Sequence, residues 1–262
     1  MAASDYISDR GKLMYERLKD TFLVYEDITS KFPVLGKIGE GGFGSVFEVC
    51  NKASGERGAM KKLPYDPQGK QNVNLVREIK TIVHLKPHPN IVRLLDVFKG
   101  QTDHIYINME LCSSDLHGFI KIQSNRSEVK YLNIAQQVAN GLDFLHSHCT
   151  PTIIHSDIKP QNILICHETD SNTIMAKLAD FGISSTGEVN EILQQGRHMN
   201  RSPSVSSTKT TTGHGTLPFM APEFFAGRDD VGLVDGKFVF DASVDIFALG
   251  LSFLKLYDRV QL

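Results

Sequence analysis

The chain has 262 residues, with 28 Lys and Arg against 30 Asp and Glu, a formal net charge of −2, 41% hydrophobic and 22% charged residues. That near balance is ordinary for a globular chain with one large domain or two smaller ones, and it argues against general electrostatic binding to nucleic acid or to an anionic membrane. The cysteines, Cys50, Cys112, Cys149 and Cys166, are widely spaced with no CxxC pair. The expectation is buried free thiols in a reducing compartment, not a disulfide framework or a thiolate metal site. The start, "MAASDYISDRGKLMYERLKD", is charged and lacks the apolar core of a secretory signal. The longest apolar run, Ile246 to Leu254, is too short to span a bilayer. Asn125-Arg-Ser127 matches a glycosylation sequon, which without a secretory route is a chance match. These features predict a cytoplasmic or nuclear protein.

In chain order, residues 1–31 read as an N-terminal extension, with a short amphipathic helix over Leu13 to about Val24. From Phe32, "FPVLGKIGEGGFGSVFEVCN" alternates apolar with small or polar residues around glycines and predicts a strand hairpin. "ERGAMKKL" predicts a further strand. "VNLVREIKTIVHL" places Leu75, Ile79, Ile82 and Val83 on one helical face, ended by Pro87 and Pro89. "NIVRLLDVF" and "HIYINMEL" predict two more strands. Beyond Leu116 the period changes: "YLNIAQQVANGLDFLHSH" predicts a long amphipathic helix with Leu132, Ala135, Val138, Leu142 and Leu145 inward. A strand-rich part with one helix, about 32–111, is thus followed by a mainly helical part, about 112–262, with a hinge near Glu110 to Ser114. From Gly187 to Gly215, hydroxyl, amide and glycine residues dominate, and "NRSPSVSSTKTTTGHGT" reads as a mobile loop.

"GEGGFG" contains GxGxxG at Gly39, Gly41 and Gly44, a weak signal by itself. A dinucleotide fold needs a helix after the glycines, whereas the β-prone "SVFEVCN" follows; a phosphate loop needs Gly-Lys-Ser/Thr, which is absent. What is left is a glycine-rich hairpin whose N–H groups can face phosphates. Lys61, on the next strand, can reach phosphates if anchored, and Glu78 on the following helix can pair with it; a strand lysine is otherwise a solvated surface residue. Asp157 and Asn162 flank Lys159, and Asp180 follows in "LADFG", a set of oxygen donors suited to magnesium, with one carboxylate left to accept a hydroxyl proton. Asp and Asn in loops more often form turns and caps, and a lone His155 is more often a satisfied core histidine. The joint spacing is what favours chemistry.

In sum of motifs and order, the sequence resembles a eukaryotic protein kinase domain of the serine/threonine type, from about Phe32 to Tyr257. The resemblance implies an α+β, two-lobed fold, with a small β-rich lobe and a mainly helical one, and phosphoryl transfer from ATP with magnesium to a protein substrate. It implies a glycine-rich loop from Gly39 to Val46, including Gly41, Gly42, Phe43 and Gly44, and Lys61 in "AMKK" as the phosphate-pairing lysine with Glu78 as its partner. It implies Asp157 in "HSDIKPQN" as catalytic base, Lys159 beside it, and Asn162 and Asp180 as magnesium ligands. Ala59, Met109 as gatekeeper, Glu110, Leu111 and Cys112 as hinge, Asp115 toward the ribose, and Leu164 complete the implied nucleotide contacts. "APE", Ala221 to Glu223, closes the activation segment, Asp245 is the implied anchoring aspartate, and "GTLPFMAPE" with Thr216 is similar to the serine/threonine form.

The match has departures. Ser156 stands where many family members carry an arginine that pairs with a phosphorylated activation loop, and serine offers no bidentate charged contact. The expected change is in control, not chemistry. The sequence ends at Leu262, soon after Asp245, which implies a helical lobe without its final helices, Glu223 without its arginine, an exposed apolar helix face and low thermal stability. An insertion, "GRDDVGLVDGKFVF", predicts a hairpin around Asp235-Gly236. The function expected is serine/threonine kinase activity; the alternatives are an ATP-binding pseudokinase or signalling scaffold, and an inactive fragment.

Overall fold

The strand signals between Val34 and Glu110 are realised as an antiparallel five-stranded sheet: β1 (Val34–Gly41), β2 (Gly44–Cys50), β3 (Arg57–Pro64), β4 (Leu94–Lys99) and β5 (His104–Glu110), in the order β1-β2-β3-β5-β4. The computed structural model describes residues 28–41, 44–65, 79, 81, 85–100, 103–122, 128–167, 174–182, 184–186, 211–212, 215–224, 233–234, 237–238 and 241–257. The expected helix over Leu13 to Val24, Gly42, Phe43, Leu75, Glu78, Ile82, Val83, the Asn125 sequon and the run around Ser202 lie outside the described residues. The chain divides into two compact units, Met1–Ile79 with Arg93–Leu111, and Lys80–Val92 with Cys112–Leu262. The first is strand-rich and the second holds the long helices.

Within the first unit, the period of two separates the sheet's faces. Val46, Lys61 and Ile107 are cross-strand neighbours, as are Ala59 and Met109, so these residues share one face. Phe47, Met60 and Asn108 form the next row, on the opposite face. That opposite face is closed by α1 (Ile28–Lys31), whose Ile28 packs with Phe32, Val49, Met60 and Phe98. Ile28, four residues before Phe32, is thus already part of this packing. The β1–β2 turn depends on Gly44: at φ +149, a Cβ there would lie 2.2 Å from the Lys62 carbonyl oxygen, so only glycine lets the backbones approach.

The second unit is built around α3 (Glu128–Ser147), preceded by β6 (Ser114–Asp115) and the short α2 (Leu116–Phe119). Its inward stripe is Tyr131, Ile134, Val138, Leu142 and Leu145, all buried. Leu132, expected inward, is 71% exposed. Leu132 lies about 200° around the helix from Ile134, while Tyr131 lies one turn before it on the same face. After β7 (Ile153–Ile154), β8 (Ile163–His167) pairs with β6 on one side and with β9 (Ile174–Leu178) on the other in a sheet of three strands, and β10 (Ser185–Thr186) pairs with β7. Within the run expected to be a mobile loop, β11 (Thr211–Thr212) pairs with β12 (Gly215–Thr216). The insertion forms β13 (Leu233–Val234) paired with β14 (Lys237–Phe238), as its Asp-Gly signal predicts. The last element, α4 (Ser243–Tyr257), leaves Ile246, Phe247 and Leu254 exposed, and no described helix is long and apolar enough to cross a membrane.

One expectation is corrected outright. Cys112 and Cys166 form a disulfide, while Cys50 and Cys149 are free and only partly buried. The β6–β8 pairing, Ser114 with Ile165 and Asp115 with Leu164, brings together cysteines 54 residues apart, a proximity that linear spacing hides.

Helix α3 crosses the 88–92 segment and β9 at Gly141, where a Cβ would lie 2.9 Å from the Asn90 carbonyl oxygen and 3.1 Å from Leu178 Cδ1. Alanine normally improves a helix interior over glycine by about 0.8–1 kcal/mol, whereas overpacking costs about 1–3 kcal/mol. Gly141→Ala is expected to destabilise the chain by about 1 kcal/mol, read as a fall of about 2–4 °C in the melting temperature. An increase would show that the helix can move away from Asn90.

Candidate active site

The loop between β7 and β8 is held by one carboxylate. Asp245, on the first turn of α4 and fully buried, accepts from the backbone N–H of His155 (2.8 Å) and of Ser156 (2.7 Å), and from His146 Nε2 (2.8 Å). Consecutive N–H groups can converge on one anion when a residue of the pair is left-handed, and Ser156 has φ +68. His155 is also committed. Its Nε2 donates to the Ala179 carbonyl (3.0 Å), its Nδ1 accepts from the Asp157 N–H (3.4 Å), and its ring lies 5.0 Å from that of Phe181. It is a satisfied core histidine that orients its neighbours. Asp241, just before α4, accepts from the Ser243 N–H (2.8 Å), and hydrogen bonds from Ser243 hold its carboxyl below the usual carboxylate range.

Asp157 follows, buried, with both oxygens engaged. Oδ1 accepts from the Thr216 hydroxyl (2.8 Å), and Oδ2 accepts from Lys159 Nζ (2.5 Å) and Asn162 Nδ2 (3.0 Å). Lys159 Nζ also donates to Thr216 Oγ1 (2.8 Å), which closes a triangle of carboxylate, cation and hydroxyl. Asn162, in the short 3₁₀ turn Pro160–Asn162, donates again from Nδ2 to the Asp157 carbonyl (2.9 Å). With Nδ2 committed, Oδ1 is the amide atom suited to a cation. The Ala179 N–H donates to the Asn162 carbonyl (3.0 Å), which sets Asp180 beside this turn, at a left-handed φ of +68. Asp157, Lys159, Asn162 and Asp180 are thus gathered in one unit, with Thr216 added from β12.

The remaining expected residues are placed as follows. Gly39 pairs with Val46, and Lys61, Ala59 and Met109 lie on the same sheet face of the first unit, with Lys61 buried. Gly41 pairs with Gly44 at the end of the hairpin. Glu110 is the last residue of β5, its carboxylate accepting from the Arg93 N–H at 2.7 Å. In the second unit, Asp115 caps α2, accepting from the Gly118 N–H at 2.6 Å, so the bland role of a loop aspartate is real here and uses one of its oxygens. Leu164 is the cross-strand partner of Asp115 on β8. Cys112 is the residue that forms the disulfide with Cys166.

Sequence reasoning missed His146 and the polar knot of Asn90 and Gln137. Gln137 Nε2 donates to the Ile174 carbonyl (2.9 Å), its Oε1 accepts from the Ala176 N–H (2.8 Å), and Asn90 Nδ2 reaches both Gln137 Oε1 (3.2 Å) and the Ala176 carbonyl (3.0 Å). The signal for His146 was present, since it lies four residues after the buried Leu142 and is thus its neighbour on the surface of α3.

Over residues 32–262 the sequence matches the protein kinase domain model. The chain belongs to the protein kinase family. This kinase domain is 31% identical over 243 residues to myosin-IIIa of Mus musculus, covering 89% of this chain and 13% of that protein. It is 30% identical over 244 residues to cyclin-dependent kinase 9 of Homo sapiens (89% of this chain, 57% of that protein). It is 29% identical over 246 residues to mitogen-activated protein kinase 3 of Arabidopsis thaliana (92% and 57%). The chain thus spans 57% of the length of these two kinases and far less of the myosin.

Asp245 gives the kinase domain a sharp test. Asn keeps the shape but replaces one acceptor oxygen by an NH₂ group that must face a backbone N–H or His146. Asp245→Asn is expected to destabilise the domain by about 2–4 kcal/mol, because buried donors lose a charged acceptor. Chemical denaturation of both proteins measures it, and an unchanged midpoint would remove Asp245 from this role.

Proposed function

We propose that this kinase domain transfers the γ-phosphate of ATP, with magnesium, to serine or threonine hydroxyls of protein substrates, in the cytoplasm or nucleus. The observation that carries the reading is the closed set of bonds among Asp157, Lys159 and Thr216. A carboxylate held by a cation and a hydroxyl is poised to receive a further hydroxyl, that of the substrate. In this role Asp157 orients the nucleophile and accepts its proton as the phosphoryl group departs from ADP. Lys159 offsets charge on the transferred group. Lys61 and the N–H groups of the β1–β2 hairpin hold the phosphates, with Glu78 as the partner of Lys61. For the adenine, the first unit offers the backbone groups of Glu110 with Val46, Ala59 and Met109, and the second unit offers the backbone groups of Cys112 with Leu164. Asp115 has a second carboxylate oxygen for the ribose.

The donor set suits a hard divalent cation: the Asp180 carboxylate and Asn162 Oδ1, whose amide Nδ2 is already taken by Asp157. Asp180 and Asn162 would hold magnesium there, and the ion would supply neutralisation of phosphate charge. The retention of Lys61, Asp157 and Asp180 in the sequence favours this reading over an ATP-binding pseudokinase.

Asp157→Asn is expected to lower transfer to a generic basic substrate by at least about 100-fold while leaving nucleotide affinity nearly unchanged. Asp180→Asn is expected instead to abolish the magnesium dependence of nucleotide binding. Calorimetry with and without magnesium, beside a transfer assay, separates the two, and wild-type turnover in both variants would refute the assignment.

Ser156 yields a second expectation. Without an arginine to pair with a loop phosphate, phosphorylation between Gly187 and Thr216 should change turnover by less than about threefold, and Ser156→Arg should make turnover more phosphorylation-dependent. Phosphatase-treated and fully phosphorylated protein, assayed side by side, decide it. Strong activation of the Ser156 form would show that another cation has taken the arginine's place.

A further inference from the structure

The disulfide sits at a particular place in the chain. The first unit ends at Leu111, and the second resumes at Cys112, so the bond grips the first residue after the crossing. The next residues are already fastened to β8. The Ser113 N–H and hydroxyl both donate to the Ile165 carbonyl (2.9 and 2.7 Å), Ser114 pairs with Ile165, and Asp115 pairs with Leu164. The Cys112–Cys166 bond is therefore one covalent rung at the open end of a short ladder, with Cα atoms 4.5 Å apart.

This rung is not needed to hold the strand in place. Ile163 and Ile165 are fully buried, and β8 is paired along its other edge with β9 from Ile163–Leu178 to His167–Ile174. Nor does it belong to a disulfide scaffold, since the other cysteines, Cys50 and Cys149, are unpaired. Both bonded residues are partly exposed, so small thiols can reach them. A single accessible bond in a chain with few cysteines fits a bond that is made and broken, as disulfides of intracellular proteins usually are.

We propose that Cys112 and Cys166 form a reversible thiol–disulfide modification site that sets how firmly the adenine-binding segment is held. The proposal rests on the kinase reading, because it is there that the Cys112 peptide groups receive adenine. The co-reactant is a small disulfide of the glutathione class. One cysteine thiolate attacks it and expels a glutathione thiolate. The second cysteine thiolate then attacks the protein sulfur of the mixed disulfide and expels the other glutathione thiolate. The two cysteine protons end on two glutathione thiols, so the protein loses two electrons and the small disulfide gains them. In the oxidised form the Cys112 backbone is fixed to β8. On reduction the anchored ladder begins only at Ser113, and nucleotide binding must order Cys112 itself. A binding segment fixed in advance binds more tightly.

The test uses the full 262-residue chain equilibrated in glutathione buffers from reducing to oxidising. Differential alkylation and peptide mass mapping report the fraction of Cys112 linked to Cys166, and a fluorescent ATP analogue with magnesium reports affinity in the same samples. The expected result is a linked peptide that appears and disappears reversibly, with affinity about three- to tenfold higher in the oxidised form. Cys166→Ser, which leaves Cys112 and its backbone in place, should show the reduced affinity in every buffer, and Cys166→Ala provides a second variant. The wild-type comparison itself depends on neither variant folding. A linked peptide absent at every poise, or equal affinity in the two forms, would overturn the proposal. Absence of nucleotide binding in both forms would overturn the kinase reading and the affinity effect with it, while the mass map would still report whether the bond forms.

Discussion

A carboxylate without access to water must be matched by donors, and the way Asp245 is matched fixes the loop between β7 and β8. Its partners are two successive backbone N–H groups, of His155 and Ser156, and a histidine from α3. Meeting those two N–H groups at once requires the left-handed turn at Ser156, a conformation that costs a non-glycine residue about 1–2 kcal/mol. The buried charge offsets that cost, and the turn aims the next residue, Asp157. The loop's shape is thus imposed from a helix some 90 residues further along the chain.

From this point the other groups follow by short steps. The His155 ring joins the loop to the Ala179 carbonyl, and the N–H of Ala179, the residue before Asp180, joins it to Asn162. The Gln137 and Asn90 amides hold β9, the strand that delivers Asp180, against α3 and the 88–92 segment. Each bond uses a backbone group or an amide with a fixed direction, so the cluster has little freedom to be assembled otherwise. The first unit uses a different device, alternation along strands, to put Val46, Ala59, Lys61 and Met109 on one face and to give the other face to α1.

Much of this was legible because it depends on local pattern. The glycine hairpin, the strands through Lys61 and Met109, and the order of the Asp157, Asn162 and Asp180 motifs can all be read without coordinates. What was not legible depends on partners distant in sequence. Leu132 is three residues before Ala135 and Tyr131 three before Ile134, so two helical faces compete, and the one buried is the one through Tyr131 and Ile134. The Cys112–Cys166 bond depends on a ladder of two residue pairs between β6 and β8, which no spacing rule announces. The aspartate at 115 was ambiguous in principle: the same side chain can cap a helix and still present an oxygen.

Gly215 bears on the missing arginine. At φ +125 its backbone comes so near the loop between β7 and β8 that a Cβ would lie 2.7 Å from the Ser156 carbonyl oxygen, and the next residue is Thr216. The strand carrying Thr216 and the loop carrying Asp157 therefore touch main chain to main chain, with no side chain as a cushion. A displacement of that strand pulls the Thr216 hydroxyl from Asp157 and from Lys159 together. Steric fit and a shared hydroxyl thus couple the loop to the path of the neighbouring strand, a coupling by shape that needs no charge at position 156.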